Sequence, residues 1–160
     1  MKTVSFYTDG ACSGNGKKEE GAGNGGWAYV ECTKCDSGIK TKVVSGNKTN
    51  TTNNEMELTA VYKALVKSLK AGYENVTIYT DSAYIVNAIT KGWLCKWRIN
   101  GWQTVEGKQI KNKQIWEKMF KLIYEKNIKL TMVKVKGHST DMLNELADNA
   151  AVNARLELEK

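Results

Sequence analysis

The sequence of this protein lacks any long hydrophobic run, since nowhere in its 160 residues do about 18 uncharged apolar residues follow one another. Its first residues lead directly into a strand-like segment, without the apolar region of a signal peptide. These two absences argue against membrane proteins and secreted precursors. We therefore expect a soluble, cytoplasmic protein without a membrane partner.

Histidine and paired cysteine motifs are also scarce. Of the four cysteines, Cys12, Cys32, Cys35 and Cys95, only Cys32 and Cys35 have the C-x-x-C spacing of half a zinc site. No second pair follows, the single histidine is distant in sequence, and no secretion signal implies an oxidising compartment. We expect four free thiols, although structural zinc at Cys32 and Cys35 stays open.

No low-complexity tract interrupts the chain, which is 41% hydrophobic and 26% charged. Such a composition is ordinary for a globular protein. A chain of this length buries roughly two-thirds of its unfolded surface and needs no partner to form a core. We predict one domain over residues 1–160 and a monomeric protein.

Acidic residues are the minority, because 24 Lys and Arg oppose 17 Asp and Glu, for a net charge of +7. Most of the excess lies between Lys91 and Lys113, where Glu106 is the only acidic residue. The cations of this segment are Lys91, Lys96, Arg98, Lys108, Lys111 and Lys113. A basic surface favours a polyanionic partner, although solubility alone would explain a positive net charge.

The apolar pattern predicts an α/β sandwich with a mixed sheet. Strands are predicted at 4–9, 27–32, 40–45, 76–80 and 128–134, and helices at 53–71, from 82, at 111–126 and from about 142. Thr52-Asn-Asn-Glu55 has capping-box spacing at the start of the first helix, and Gly72 ends it.

Two segments nearly repeat each other. Val4-Ser-Phe-Tyr-Thr-Asp9 matches Val76-Thr-Ile-Tyr-Thr-Asp81 in residue type at almost every position. If these strands are neighbours, both carboxylates lie on the same side of the sheet and repel each other unless they are protonated or bridged by a cation. The alternative is that each aspartate caps the element that follows it.

Other candidate carboxylates lie in helices. Glu57 falls at the edge of the buried stripe of the first helix, beside Val61, as does its competitor Glu55. The capping box gives Glu55 a structural role and leaves Glu57 without one. In the last helix, Asp148 lies away from the predicted stripe of Leu146, Ala147, Ala150 and Ala154, so a solvated face is its simplest interpretation.

The single histidine occurs in Val-Lys-Gly-His138-Ser, between the last strand and the last helix. Its flanking Gly and Ser place it in a loop, where a site role and a structural role are equally open.

These residues occur in the order seen in type 1 cellular ribonuclease H. The matching motifs are Tyr-Thr-Asp9-Gly, Thr52-Asn53-Asn54-Glu-Met-Glu57-Leu, Tyr-Thr-Asp81-Ser-Ala-Tyr84 and Val-Lys-Gly-His138, followed by Asp148. The chain thus resembles the bacterial branch of this family over essentially its whole length. The resemblance implies a ribonuclease H-like α/β fold, with a five-stranded mixed sheet, its first three strands antiparallel, flanked by helices.

The resemblance implies an endoribonuclease that cuts the RNA strand of RNA–DNA hybrids and leaves 5′-phosphate and 3′-hydroxyl ends. Asp9, Glu57, Asp81 and Asp148 would be catalytic, metal-binding carboxylates, and His138 would help product leave. Two Mg²⁺ ions about 3.5–4 Å apart could hold the attacking water and the leaving oxygen. Mn²⁺ could substitute. Asp9 would bridge the ions, Glu57 and Asp81 would complete one site, and Asp148 would help hold the other.

The resemblance also assigns contacts to each strand of the hybrid. Only RNA carries the 2′-hydroxyl, so Asn15 and Asn53, with Glu57, would select the strand that is cut. Thr52 and Asn112 fall where a pocket for a DNA phosphate is expected.

The sequence departs from the family pattern at two of these places. Asn50 stands where many relatives have an arginine, and Lys48 could substitute for it. Ala83 stands where a longer side chain would touch RNA in several relatives.

The segment 91–102 resembles the basic protrusion that grips hybrid in one branch of the family. Its residues Trp93, Lys96, Trp97, Arg98 and Trp102 would contact the DNA strand, since tryptophans interleaved with cations suit stacking and backbone contact. Alternatively, Trp93 and Trp97 are simply the apolar side of a helix.

Three other functions remain open at this point: a module that binds hybrid without cutting it, a DNA-cutting nuclease of the same fold, and a fragment of a reverse transcriptase. The four carboxylates argue against the first, and Asn53-Asn54 with the protrusion argues against the second.

Overall fold

The computed structural model describes residues 2–13, 23–136 and 141–160. Within these ranges the strands are β1 (Thr3–Cys12), β2 (Gly23–Cys35), β3 (Gly38–Thr51), β4 (Asn75–Thr80) and β5 (Lys129–Lys134). The α-helices are α1 (Asn53–Ala71), α2 (Ala83–Thr90), α3 (Trp93–Ile99), α4 (Lys113–Phe120) and α5 (Met142–Glu157), and a π-helical turn, Lys121–Glu125, continues α4.

The strands form one mixed sheet in the order β3-β2-β1-β4-β5. β1 pairs antiparallel with β2, and β2 pairs antiparallel with β3. β4 lies parallel to both β1 and β5. The predicted five-stranded mixed sheet, with its first three strands antiparallel, is therefore confirmed.

The hairpin of β2 and β3 is longer than predicted. The pattern placed strands only at 27–32 and 40–45, whereas the observed strands span Gly23–Cys35 and Gly38–Thr51. β3 is an edge strand whose side chains are mostly exposed. Because little of it faces a core, its sequence carries no alternation that would mark its ends.

Helix α1 begins and ends where predicted. The Thr52 hydroxyl accepts a hydrogen bond from the Glu55 N–H at 3.1 Å, and Gly72 closes the helix in the left-handed conformation with φ 75°. The second hydrogen bond of the predicted capping box, from the Thr52 N–H to the Glu55 side chain, is wrong. The Glu55 carboxylate instead accepts from the Thr51 hydroxyl at 2.7 Å and pairs with Lys48.

Helices α1 and α5 cover opposite faces of the sheet. A Cβ added to Gly25 would meet Met56 of α1, whereas one added to Gly26 would meet Ala151 of α5. Successive residues of a strand point to opposite faces, so the two helices lie on different sides. The main core fills the α1 side and includes Phe6, Leu58, Leu65, Ile78 and Trp116.

Periodicity predicted the buried side of α5 only in part, since Ala147 and Ala154 of the predicted stripe are buried but Leu146 and Ala150 are not. The residues that are buried are Asn144, Ala147, Ala151 and Ala154, while Leu146 is 38% exposed and Ala150 lies only partly buried. The face that packs on the sheet is chosen by small size and not by hydrophobicity, because the helix backbone itself touches β2. Asp148 consequently follows the buried Asn144 by one turn, instead of lying on a solvated face.

One further helix prediction needs correction. The stretch predicted as one helix over 111–126 begins at Lys113, after Asn112 in the left-handed conformation, and changes to a π-turn after Phe120. In the described ranges, no helix has the length and apolar character needed to cross a bilayer.

Candidate active site

Asp9 lies inside β1, and the strand continues beyond it to Cys12. Its side chain is 8% exposed, and Oδ1 accepts a hydrogen bond of 2.9 Å from the Gly10 N–H. Because no helix starts after Asp9, the capping interpretation of this residue is wrong. The carboxylate lies on the α5 side of the sheet, since the neighbouring Gly10 faces α1, and β1 has a paired strand on each side.

Asp81 follows β4 directly. β1 and β4 are parallel neighbours with Tyr7 opposite Tyr79, so the two aspartates each come two residues after a paired position. The cap of α2 is Ser82, whose hydroxyl accepts from the Ile85 N–H at 3.2 Å. The near-repeat of the sequence thus corresponds to adjacent strands, and Asp81 is not needed as a cap.

Glu57 reaches the two aspartates because α1 crosses close above β1. A Cβ added to Gly10 would lie 2.4 Å from the Glu57 backbone nitrogen, so only glycine permits this approach. Glu57 is 5% exposed. Its competitor Glu55 points elsewhere, toward Thr51 and Lys48. The residue left without a structural role by the sequence is the one that the fold brings to Asp9.

Asp9, Glu57 and Asp81 form the acidic cluster, in which one oxygen of each carboxylate lies within 4.8 Å of the others. Oε2 of Glu57 is fully buried and has no hydrogen-bond partner. Its neighbours are carboxylates, which can bond to it only by supplying a proton. A buried acceptor facing two further acids is costly unless a proton or a cation joins them.

The electrostatics of the cluster follow from this crowding. Burial raises the pKa of Asp9 to about 7, and the Asp81 charge and the Asp148 carboxyl act in the same direction, while the Gly10 N–H lowers it. Burial, followed by the charges of Asp9 and Asp81, raises the pKa of Glu57 well above its ordinary value. The cluster therefore loses its protons less readily than isolated carboxyls do, and a divalent cation would relieve the same repulsion.

Asp148 stands apart from the other three carboxylates. Its side chain comes from α5 on the opposite face of the sheet from α1 and lies within hydrogen-bonding reach of Asp9. It does not belong to the group of three whose oxygens all lie within 4.8 Å. The fold thus brings all four predicted carboxylates to one region, three tightly and the fourth through Asp9.

The donor set fits a hard divalent cation such as Mg²⁺. Such ions prefer carboxylate oxygens, and they resolve the repulsion among buried acids. The unpartnered Glu57 Oε2 and the raised pKa of Asp9 are the features expected of carboxylates arranged around a positive charge. Asp9, Glu57 and Asp81 could therefore hold a metal ion.

The tryptophans of the basic segment pack against one another and against the core. Trp93 and Trp97 lie in α3 with ring centroids 6.5 Å apart, and Trp97 meets the buried Trp116 edge-on at 5.3 Å. Both are partly buried against the main core. Tyr84, which follows the Asp81 motif, contacts all three rings and keeps 38% of its surface exposed.

The cations of the same segment face outward. Lys96 and Arg98 are both exposed on α3, and the Arg98 guanidinium lies 5.1 Å from the centre of the Phe120 ring. Trp102 meets Phe120 edge-on at 6.3 Å. The aromatic residues therefore hold α3 on the core while its positive charges point to solvent.

The remaining predicted contacts lie at helix starts or outside the described residues. Thr52 caps α1, Asn53 is the first residue of α1, and Asn112 precedes α4 with φ 60°. Asn15 and His138 lie outside the described residues. The pairing of Lys48 with Glu55 places its positive charge beside the start of α1.

Sequence reasoning missed the contribution of two kinds of residue. Gly10 has no predicted role beyond its place in the Tyr-Thr-Asp9-Gly motif, although its missing side chain is what admits α1 to the cluster. Tyr84 was noted only within a motif, although it joins the cluster region to the aromatic residues of α3. The signal for this role was the position of Tyr84, an aromatic residue three positions after Asp81 at the start of α2.

Carboxylates that converge on one site from two adjacent parallel strands and a helix suit a metal-dependent enzyme that cleaves phosphodiesters, such as a nuclease. The sequence model of the RNase H family matches residues 1–155. Ribonuclease H of Caldicellulosiruptor saccharolyticus is 48% identical over 153 residues, which cover 94% of each chain. Ribonuclease H of Acetivibrio thermocellus is 44% identical over 154 residues, which cover 96% of this chain and 95% of the other.

Solved structures agree with the sequence matches. The crystal structure of LC9-RNase H1, described as a type 1 RNase H with the type 2 active-site motif, has a TM-score of 0.83 and 30% identity, over 97% of this chain and 72% of that one. The solution structure of the PFV RNase H domain has a TM-score of 0.77 and 27% identity, over 96% and 94% of the two chains. The chain belongs to the ribonuclease H family.

Proposed function

We propose that this ribonuclease H cleaves the RNA strand of RNA–DNA hybrids at the acidic cluster and leaves 5′-phosphate and 3′-hydroxyl ends. The observation that carries the proposal is the cluster itself, in which Asp9, Glu57 and Asp81 converge within 4.8 Å in a chain of this family. A module that only binds hybrid would have no use for carboxylates buried at such electrostatic cost.

Asp9, Glu57 and Asp81 would hold one Mg²⁺ ion, and Asp148 with Asp9 would help hold a second, with Mn²⁺ as a substitute. When bound, the ions supply a water of lowered pKa and neutralise charge on the leaving oxygen. Support for this assignment comes from the hard oxygen donors, from the unpartnered Glu57 Oε2 and from the position of Asp148 beside Asp9.

The protein's own residues orient the site. The Gly10 N–H holds Asp9 Oδ1 in place, and the strands fix the spacing between Asp9 and Asp81. Burial of Glu57 keeps solvent from its carboxylate. Metal binding would displace any protons held by Asp9 and Glu57, because a ligand must be deprotonated.

Substrate binding would use the basic residues of α3 and the starts of α1 and α4. Lys96 and Arg98 are exposed on α3 and suited to phosphates of the DNA strand, with Trp93, Trp97 and Trp102 packing beneath or beside them. Thr52 and Asn112, each at the start of a helix, would bind a DNA phosphate. Asn15 and Asn53 would contact the 2′-hydroxyl of RNA, and His138 would assist product release.

The test is cleavage of labelled hybrid, duplex DNA and duplex RNA, each with and without Mg²⁺, alongside Asp9→Asn. We expect only the RNA strand of the hybrid to be cut, only with metal, and not by the variant. End-group analysis should find 5′-phosphate and 3′-hydroxyl. Cleavage of duplex DNA, or activity that survives in Asp9→Asn, would refute the proposal and favour the DNA-cutting alternative or a contaminant.

A further inference from the structure

Helix α5 lies so near β2 that the helix backbone meets the strand at Gly26. A Cβ built on Gly26 would be 2.1 Å from the Ala151 carbonyl oxygen and 2.6 Å from the Arg155 nitrogen. These two atoms belong to one helical turn, in which the N–H of Arg155 faces the carbonyl of Ala151. Any side chain at position 26 would enter that turn.

Steric space, and not backbone conformation, requires glycine at this position. Gly26 is not among the residues with positive φ and is paired within the ladder of β1 and β2. Real Cβ atoms essentially never approach a heavy atom closer than 3.0 Å, so a contact of 2.1 Å demands a shift of about 1 Å. Both obstructing atoms are backbone, which leaves movement of α5 as the way to relieve it.

The contact at Gly26 is close to the place where α5 delivers Asp148. Gly26 and Ala28 lie on the same face of β2, and Ala28 stands opposite Asp9. Asp148 precedes Ala151 by three residues, about 4.5 Å along the helix axis. When Ala151 rests on Gly26, Asp148 therefore lies at the level of Asp9.

Other contacts of α5 prevent the helix from tilting about Gly26, so that it would have to move as a whole. Ala147 and Ala151 are fully buried on the sheet, and the Asn47 side-chain amide donates to the Ala154 carbonyl at 2.9 Å. These contacts bracket Asp148 on both sides. A wedge at position 26 should therefore displace the carboxylate together with the helix.

We propose that Gly26 is a positioning residue for the metal site, because its missing side chain sets the separation of α5 from the sheet and thereby the distance from Asp148 to Asp9. The proposal rests on the proposed function, since it concerns metal held by these carboxylates. It predicts that an outward shift of α5 weakens metal binding specifically, while the hybrid-binding surface on α3 is unaffected.

The experiment compares Gly26→Ala with the intact protein in two assays. The first is the Mg²⁺ concentration at half-maximal cleavage of hybrid, with KM for hybrid measured at saturating Mg²⁺. The second uses no substrate and measures the rise in Tm caused by Mg²⁺. For Gly26→Ala we expect the half-maximal Mg²⁺ concentration to rise about 10-fold or more, as for lost support of a metal ligand, with KM unchanged.

The matched control is Gly46→Ala. Gly46 also lacks room, because its Cβ would meet the Trp27 ring at 2.5 Å, yet it pairs with Trp27 on the α1 side and the three atoms nearest that Cβ all belong to Trp27. It should lower stability without changing the Mg²⁺ requirement. Equal changes in the Mg²⁺ requirement for both variants would overturn the proposal, because they would indicate general destabilisation.

A second substitution distinguishes displacement of Asp148 from loss of overall stability. Asp148→Glu adds one methylene, about 1.5 Å of reach, and should harm the intact protein but partly restore the Mg²⁺ requirement in Gly26→Ala. If glutamate impairs both backgrounds equally, Gly26 does not act through Asp148. If Gly26→Ala does not fold, Ala147→Ser is a milder wedge at the same interface, and an unchanged Mg²⁺ requirement there would refute the inference.

The two assays also separate this inference from the proposed function. Failure of the intact protein to cleave hybrid would count against the function alone. The Mg²⁺-dependent rise in Tm would still report the metal site, and an equal rise in the intact protein and Gly26→Ala would overturn the role of Gly26.

Discussion

Replacing Asp9 by asparagine should stabilise the metal-free protein while abolishing cleavage. Asp9 is buried beside two other acids, and its pKa is raised to about 7 from 3.8. Asparagine removes the charge and keeps an oxygen that can accept from the Gly10 N–H, as Oδ1 of Asp9 does. The substitution thus deletes a repulsion without deleting the hydrogen bond.

The magnitude follows from the pKa difference. A difference of about 3 between the folded and unfolded states corresponds to roughly 4 kcal/mol of destabilisation when the carboxyl is ionised in the unfolded chain. Desolvation of the new amide reduces the gain, so we expect a net increase of about 2–4 kcal/mol at pH 8. For a chain of this length that is a rise in Tm of roughly 5–15 °C.

The pH dependence has a definite sign. Because the folded-state pKa is raised, the folded protein retains a proton that the unfolded chain has lost, so stability falls as pH rises from about 4 to about 7. Asparagine has no such dependence. The stability difference between Asp9→Asn and the intact protein should therefore be small near pH 4 and largest above pH 7.

The assay is thermal or urea unfolding between pH 4 and pH 8, in EDTA and again with excess Mg²⁺. The cation should stabilise the intact protein and narrow the gap, because it relieves the same repulsion. Asp36→Asn, which changes an exposed aspartate in the β2–β3 turn, is the control and should have little effect. The reasoning would be refuted if Asp9→Asn were no more stable than the intact protein in EDTA at pH 8. It would also be refuted if the stability difference between the two proteins did not depend on pH.

Three further substitutions test other parts of the structure. The double variant Lys96→Ala, Arg98→Ala should bind hybrid more weakly and reduce the slope of log affinity against log salt by up to about 2, with kcat nearly unchanged. An unaltered slope in a salt titration would contradict a role in binding phosphates. Gly10→Ala should lower both the cleavage rate and the stabilisation by Mg²⁺, because the new Cβ would lie 2.4 Å from the Glu57 nitrogen. Normal values of both would show that α1 can move without cost. Gly72→Ala should lower the free energy of unfolding by about 1 kcal/mol because φ is 75°, with kcat unchanged, and equal stability in urea titrations would argue against the left-handed cap.

Local sequence signals determined much of this protein. The near-repeat at Asp9 and Asp81 identified two adjacent strands, and Thr52 and Gly72 marked both ends of α1, because caps and strand alternation depend on neighbouring residues. Ordered motifs were sufficient to indicate the family and its mixed sheet. The limits of β3 were not predictable from alternation, since an exposed edge strand obeys no burial pattern.

The separation of the layers was decided only by the tertiary structure. Periodicity indicates which side of a helix is apolar, but not how closely the helix approaches the sheet. Glu57 reaches Asp9 because Gly10 has no side chain. Asp148 reaches Asp9 from a helix whose buried face carries small residues and whose backbone meets β2 at Gly26. The identities of the acids can be read from the chain, whereas their convergence depends on two glycine contacts between residues distant in sequence.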